Sequence, residues 1–595
     1  MRQILEIQYE KLFETYRFER PIEARNVNAI IKKSLQDFLK GSEKPAIYCN
    51  GGHTKMLMAD FMYELKSVKY IVDNYANRTD DNGFKLIKDE ELETAGIDAV
   101  IVSSFKFKDN IVENLKKNHP GIRYLNLYEK FAEHGIDLQS DYYYHNHPYH
   151  HYRTINTIQR KIRELTDVDE LETAHRQLIE HYIHIKDFRT AMMYAERLEK
   201  IVASEENKHL KADLAAIYES EKKAIAGISE NNVLMLCMDG LRYQDLSEEY
   251  MPKLTDEINN NAFAFDNAYS FSTSTYESLI PVYSENDDLR TKYYSHNSVS
   301  EENCRFISEA KRQKRGIYFY TDMDTFVDSK DIEYSGVFQT ATEKLWNFIL
   351  DAQEEENGLF YIHILYESHF SFSNPYTEDK LISEGTAMLF DFLPQKGGKL
   401  RTDYEKQHRD SLRYLDDVLT PLLELLHCRM LVYADHGNLI LEKGCNVRDI
   451  QETKFTCAQE WIRIPYIIRS PEMGAGRSSK LISLMSLNDI VICLLRQKAY
   501  KAPEKPFVKV ARSELYNPDF RYLYKEIGKS QCLLAFEAFV FTNGYKLLVY
   551  ADGTLELYRT ENDEKCSDNV VIRELIQKIR DDITVCDGEG IKVLM

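Results

Sequence analysis

Val233-Leu234-Met235-Leu236-Cys237-Met238, running into Asp239-Gly240, decides the fold class of this chain. An uninterrupted apolar run of this length, closed by an acid and a glycine, reads as a buried strand. Its acid falls at the carboxyl end, where open α/β sheets bind ligands. Further on, Met430-Leu431-Val432-Tyr433-Ala434 repeats the pattern and stops at Asp435-His436-Gly437. Two strands that end in acids, one followed at once by histidine, can converge on one metal. Between them lies a hydroxyl-dense stretch, Phe271-Ser272-Thr273-Ser274-Thr275-Tyr276-Glu277-Ser278, which leads into Leu279-Ile280-Pro281 and could supply a nucleophile.

Each of these residues also has a plainer reading. Asp239 and Asp435 could be helix N-caps, and His436 a packed loop residue. Ser272, Thr273, Ser274 and Ser278 rival Thr275, and the whole cluster could be a turn that caps a helix. The convergence of acids, imidazole and hydroxyl favours the metal site.

The order of strand-Asp-Gly, Ser/Thr segment and strand-Asp-His-Gly resembles the alkaline phosphatase/sulfatase superfamily. It looks closest to the branch of phosphoethanolamine transferases and lipoteichoic acid synthases (phosphoglycerol transferases). Further anchors are Met251-Pro252-Lys253-Leu254, Phe360-Tyr361-Ile362-His363-Ile364-Leu365 with Ser368-His369, Ser411 to Asp417, Ile464 to Ile468, and Asn488-Asp489-Ile490. The resemblance runs from about Asn231 to about Asn569. It implies an alkaline phosphatase-like sandwich with a central, mostly parallel sheet. It puts Thr275 in the nucleophile position and His369 at the substrate. The implied metal set is Asp239, Asp435, His436 and Thr275, around one divalent ion, Zn or Mn. His363, inside the apolar strand, is expected in the core.

Two departures narrow the chemistry. Sulfatases carry a C/S-x-P-x-R segment, whereas Thr275 is followed by Tyr276-Glu277-Ser278-Leu279, without proline or arginine. Phosphoethanolamine transferases carry a further histidine beyond the Asp-His pair, and none lies between Gly437 and Pro465. Lys443 or Lys454 could replace its charge. The expected activity is a metal-dependent phosphotransfer through a phospho-threonine. The donor is a phosphodiester and the acceptor a glycan or another alcohol. Water as acceptor, in a phosphodiesterase or phosphatase, is the alternative.

At 595 residues the chain is expected to form several domains. Residues 1–140 read as a small Rossmann-like α/β module, with strands at Pro45-Ala46-Ile47-Tyr48-Cys49, Lys69 to Asp73 and Ala99 to Ser103. Gly51-Gly52 and Asp73 fall where a dinucleotide would be held, but G-x-G-x-x-G is incomplete, which favours a docking or regulatory module. Tyr142 to Tyr152, with His145, His147, His150 and His151, reads as an aromatic linker rather than a metal site. Residues 141–228 read as a helical, tetratricopeptide-like connector with a turn at Asp187-Phe188. Residues 229–505 read as the catalytic domain and 506–595 as its strand-rich closing part, with a hairpin at Asp552-Gly553.

The net charge of -20 argues against nucleic acid as a partner. The N-terminus lacks an apolar signal core, no run of about 18 apolar residues occurs, and the ten cysteines are scattered without paired spacing. A cytoplasmic location follows as the expectation. Peripheral membrane contact and homo-oligomerisation are both compatible with the sequence.

Overall fold

The computed structural model describes residues 1–21, 24–51, 53–54, 57–58, 61, 64–75, 80–81, 84–134, 148–287, 299–321, 327–335, 339–382, 399–438, 440, 457–515, 525, 528 and 530–585. Gly52, His145, His147, Lys443 and Lys454 lie outside the described residues.

The N-terminal module is built on strands β1 (Pro45–Tyr48), β2 (Tyr70–Val72), β3 (Asp80–Asp81), β4 (Phe84–Ile87), β5 (Ala99–Val102) and β6 (Arg123–Asn126). Their order is β3-β4-β2-β1-β5-β6, with only β3 antiparallel to its neighbour. The short apolar runs separated by helical segments thus give the expected Rossmann-like sheet. The first helix, Arg2–Tyr16, does not pack on it. Leu5, Tyr9, Leu12, Phe13 and Tyr16 join the same core as Leu178, Tyr182 and Leu214 of the helical connector.

That connector comprises helices Pro148–Glu164, Val168–His184, Phe188–Ile201 and Glu205–Ala226. Asp187 caps the third of these by accepting from the Thr190 amide, which explains the turn at Asp187-Phe188. His150 and His151 lie in the first, beside the buried Tyr152.

The main body holds β7 (Val233–Met238), β8 (Phe263–Tyr269), β9 (Val299–Ser300), β10 (Gly316–Tyr320), β11 (Val327–Asp328), β12 (Ile332–Ser335), β13 (Gly358–Ile364), β14 (Arg429–Tyr433), β15 (Tyr466–Arg469) and β16 (Gly476–Ser483). Eight of them form one sheet, β12-β10-β13-β7-β14-β15-β8-β16. Within it β15 alone runs antiparallel. Strands β7, β13 and β14 are buried throughout, as the continuous apolar runs require of strands covered on both faces. Each large apolar side chain so buried contributes roughly 1.5–3 kcal/mol, so the platform beneath the strand ends is rigid. The closing part is an antiparallel sheet, β17 (Phe507–Arg512), β18 (Phe536–Phe541), β19 (Tyr545–Tyr550), β20 (Leu555–Arg559) and β21 (Lys565–Cys566), in that order. Gly553, at φ 81°, makes the tight turn between β19 and β20.

No disulfide joins the eight described cysteines. Among the described residues, no helix is long and apolar enough to cross a membrane.

Candidate active site

The register of the sheet brings the two acids together. Cys237 of β7 pairs with Tyr433 of β14, so Asp239 and Asp435 leave neighbouring parallel strands at the same level. Both are fully buried. The Gly240 N–H donates to Asp435 Oδ1 over 3.2 Å. Gly240 has φ 68°, and a Cβ there would lie 2.3 Å from Asn438 Nδ2, so only glycine fits this turn.

Thr275 is the first residue of the helix Thr275–Ser284. Its Oγ1 donates to Asp239 Oδ2 over 3.2 Å and lies 3.3 Å from His436 Nε2. Three neighbouring hydroxyls are committed to the turn. Ser278 Oγ accepts from the Ser272 amide (3.0 Å) and donates to the Ser272 carbonyl (3.2 Å), and Ser270 Oγ donates to the same carbonyl. Ser272 Oγ donates to Glu277, whose carboxylate also holds Ser513 in the strand-rich part. Among the hydroxyls of this cluster, the contacts to Asp239 and His436 are made by Thr275.

His436 Nε2 lies 3.5 Å from Asp239 Oδ1 and 3.4 Å from Asp435 Oδ2. Its Nδ1 is 2.7 Å from the Gly437 carbonyl. A carbonyl only accepts, so Nδ1 carries the proton and the Nε2 lone pair faces the acids. His369 follows the same logic: Nδ1 meets the Phe370 carbonyl at 3.3 Å and Nε2 is 3.7 Å from Asp239 Oδ1. His369, expected at the substrate, thus lies within ligand reach of the acids as well.

Sequence reasoning passed over two residues. His363 is buried in β13 as expected, yet its Nε2 stands 3.1 Å from Asp239 Oδ2. Its place two strands from Asp435 is visible only once β13 is paired with β7. Asn438 donates to the Gly240 and Ser368 carbonyls, at 2.9 and 3.5 Å, and so ties together the loops after β7, β13 and β14. Glu367 is structural: it accepts from Tyr152 OH (2.5 Å) and from the Ala341 amide (2.9 Å). Behind the site, Arg242 is buried against Asp245 at 2.6 Å and reaches Glu460 at 3.4 Å.

The centre is dominated by acceptors, and that is what a cation would relieve. Asp239 Oδ1 and Asp435 Oδ2 are buried oxygens that make no hydrogen bond, and an unsatisfied buried charge is costly. Burial raises the Asp435 carboxyl, and the Asp239 charge raises it further. Burial also acts to raise Asp239, but the surrounding imidazoles of His369, His363 and His436, when they carry a second proton, outweigh it and hold that carboxyl below its usual range. Burial lowers His369, against the pull of Asp239. One ligand atom each from Asp239, His369 and His436 lies within 4.8 Å of the others, and the same holds for Asp239, His363 and Asp435. Oxygen ligands with imidazole suit Zn²⁺ or Mn²⁺, so the residues present fit a divalent ion.

The Sulfatase family model matches residues 231–495, the span that contains every residue of this centre. The matched span is thus similar to the enzymes of the sulfatase family, in the alkaline phosphatase superfamily, whose members bind a divalent metal. Among solved structures, the chain is similar to the phosphonate monoester hydrolase SpPMH from Silicibacter pomeroyi, at 12% identity and a TM-score of 0.43, over 59% of this chain and 96% of that one. It is similar also to the phosphonate monoester hydrolase of Agrobacterium radiobacter, at 10% identity and a TM-score of 0.40, over 59% and 96%. The C-terminal periplasmic domain of EcEptC from Escherichia coli matches at 15% identity and a TM-score of 0.30, over 44% and 81%. No curated protein matches the chain significantly.

Proposed function

We propose that the protein is a metal-dependent phosphotransferase that moves a phosphoethanolamine- or phosphoglycerol-type group from a phosphodiester donor to a glycan or other alcohol. The observation that carries this reading is the Thr275 hydroxyl, held 3.2 Å from Asp239 and 3.3 Å from His436 at the start of a helix. A cysteine or serine in a C/S-x-P-x-R segment, which sulfate-ester chemistry in the family uses, is replaced here by Thr275-Tyr276-Glu277-Ser278-Leu279.

In this reading Asp239, Asp435, His436 and Thr275 hold the metal, with His369 at the substrate. The ion, when bound, favours the threonine alkoxide and screens it from the anionic diester. The remaining steps belong to the chain's own residues. Thr275 Oγ1 attacks phosphorus while its proton leaves along the existing hydrogen bond to Asp239 Oδ2. The bond to the first alcohol breaks, and the departing alkoxide takes up that proton. The amides at the start of helix Thr275–Ser284 favour the phosphoryl oxygens. The acceptor hydroxyl then attacks the phospho-threonine, and its proton returns to Thr275 Oγ1 as that bond breaks.

The test is a quenched reaction with a phosphodiester donor, read by intact-mass and peptide spectrometry. The reading requires a phosphoryl-type adduct on Thr275 and its absence from Thr275→Ala. With an added glycan or alcohol, label should pass to that acceptor. Release only to water would assign the alternative phosphodiesterase activity. Full turnover by Thr275→Ala would overturn the mechanism.

A further inference from the structure

The N-terminal sheet reverses direction at its centre. From β1 the chain moves outward through β2 to β4, then returns to the other side of β1 for β5 and β6. These strands are parallel, so their carboxyl ends share one edge. In open α/β sheets the crevice at such a reversal is a ligand-binding position.

The residues on that edge are unusual for a surface with no ligand. Among the described residues, Tyr75 and Phe107 are the two aromatic side chains that stand clearly exposed, at 93% and 51%. Both lie here: Tyr75 just after β2, Phe107 just after β5, on the strands that flank β1. Large rings usually bury most of their surface, so an exposed ring after each of the two strands that flank β1 is a feature to explain. Asp73 follows β2, and its Oδ1 accepts the Tyr75 amide at 2.9 Å, which fixes the turn that carries both residues. Lys106 and Lys108 follow β5, with Lys106 Nζ 5.4 Å from the Phe107 ring.

The backbone between them is shaped for close approach. Cys49, the first residue past β1, has φ 85°, uncommon for any residue but glycine. It is held there by its own amide, which donates to the Val72 carbonyl, and by Thr54 Oγ1, which donates to the Cys49 carbonyl over 2.6 Å. Gly51 follows, with nothing within 4 Å of where a side chain would begin. The buried Thr54 and Ser103 hydroxyls, 2.8 Å apart, floor this turn and link β1 to β5.

We propose that this edge binds a ribonucleoside diphosphate. The base lies against Tyr75, the ribose hydroxyls meet Asp73, and the diphosphate crosses the Asn50–Gly51 backbone toward Lys106 and Lys108. The site is separate from the Thr275 centre and does not depend on its assignment. Incomplete glycine spacing argued for a docking module; two exposed rings, an acid and two lysines in the segments that follow the strands flanking β1 argue for a small ligand.

The test is calorimetric titration of ADP and of UDP into the full chain in EDTA. Wild type, Asp73→Asn, Tyr75→Ala and Thr275→Ala are compared, each first checked for an unchanged melting temperature. At least one nucleotide should bind wild type and Thr275→Ala alike, and bind about 10-fold more weakly to Asp73→Asn and to Tyr75→Ala, as loss of one good contact predicts. Its 2′,3′-dideoxy analogue should show the same loss on wild type and no further loss on Asp73→Asn. Absence of binding to wild type at millimolar nucleotide would overturn the proposal. So would binding that Thr275→Ala abolishes while Asp73→Asn and Tyr75→Ala retain it.

Discussion

His363 Nε2 stands 3.1 Å from Asp239 Oδ2, from a fully buried position in the strand beside the one that carries Asp239. The Thr321 hydroxyl lies 3.4 Å from the other ring nitrogen, Nδ1, and Lys344 Nζ holds the strand there by donating to the His363 main-chain carbonyl over 2.6 Å. A partner of this kind sets the orientation and basicity of a ligand carboxylate, and losing such partners typically costs about 10–100-fold in metal affinity. His363→Asn is therefore expected to weaken Zn²⁺ binding by about that factor in a chelator competition. The chain should stay folded, since its β13 neighbours are untouched. Unchanged affinity would reduce His363 to a packing residue.

Gly437 gives a steric test of the Asp-His loop. Its amide donates to the Trp461 carbonyl at 2.8 Å. A Cβ there would sit 1.9 Å from the Glu460 carbonyl oxygen, an approach that no rotamer can relieve because the obstacle is backbone. Gly437→Ala must displace either the helix Gln459–Ile462 or His436. The expected result is loss of most metal binding and turnover, with a fall in stability of about 1–3 kcal/mol typical of overpacking. Wild-type metal affinity in Gly437→Ala would show that His436 does not depend on this packing.

The sequence made the two acid-terminated strands legible because an uninterrupted apolar run can be satisfied only by burial on both faces. Asp239, Asp435 and His436 then had to meet, since strands β7 and β14 are parallel neighbours in register. Thr275 was separable from Ser272 and Ser278 only through a family resemblance; the structure supplies the reason, since those two hydroxyls are spent on the turn. His363 and Asn438 were not legible. One looks like any apolar-strand residue until cross-strand pairing is known, and the other acts through backbone carbonyls far away in sequence. The docking of helix Arg2–Tyr16 on the connector was equally hidden, because an amphipathic stripe does not name its partner.

The N-terminal module should respond to acid through His53. Burial pushes this imidazole down to about 3, and its Nδ1 meets Tyr128 OH at 2.5 Å. Because the folded value is depressed below the ordinary 6.5, the unfolded chain binds the proton first on acidification. The contribution is complete above about pH 6.5 and is lost as pH falls toward 3. From pH 7 to 5 the module should lose about 2 kcal/mol by this linkage. Hydrogen exchange of the β1 and β5 amides, corrected for intrinsic rates, would read it. His53→Asn should flatten the slope; an equal slope in wild type and variant would assign it to other groups.

The measurement that bears most directly on the catalytic reading is elemental analysis of the purified chain, wild type beside Asp435→Ala, after incubation with Zn²⁺ or Mn²⁺ and removal of excess ion. Two buried carboxylate oxygens without hydrogen bonds and two imidazole lone pairs converge here. The account predicts about one divalent ion per wild-type chain and a near-complete loss in the variant. No bound metal in wild type, or equal occupancy in Asp435→Ala, would contradict it.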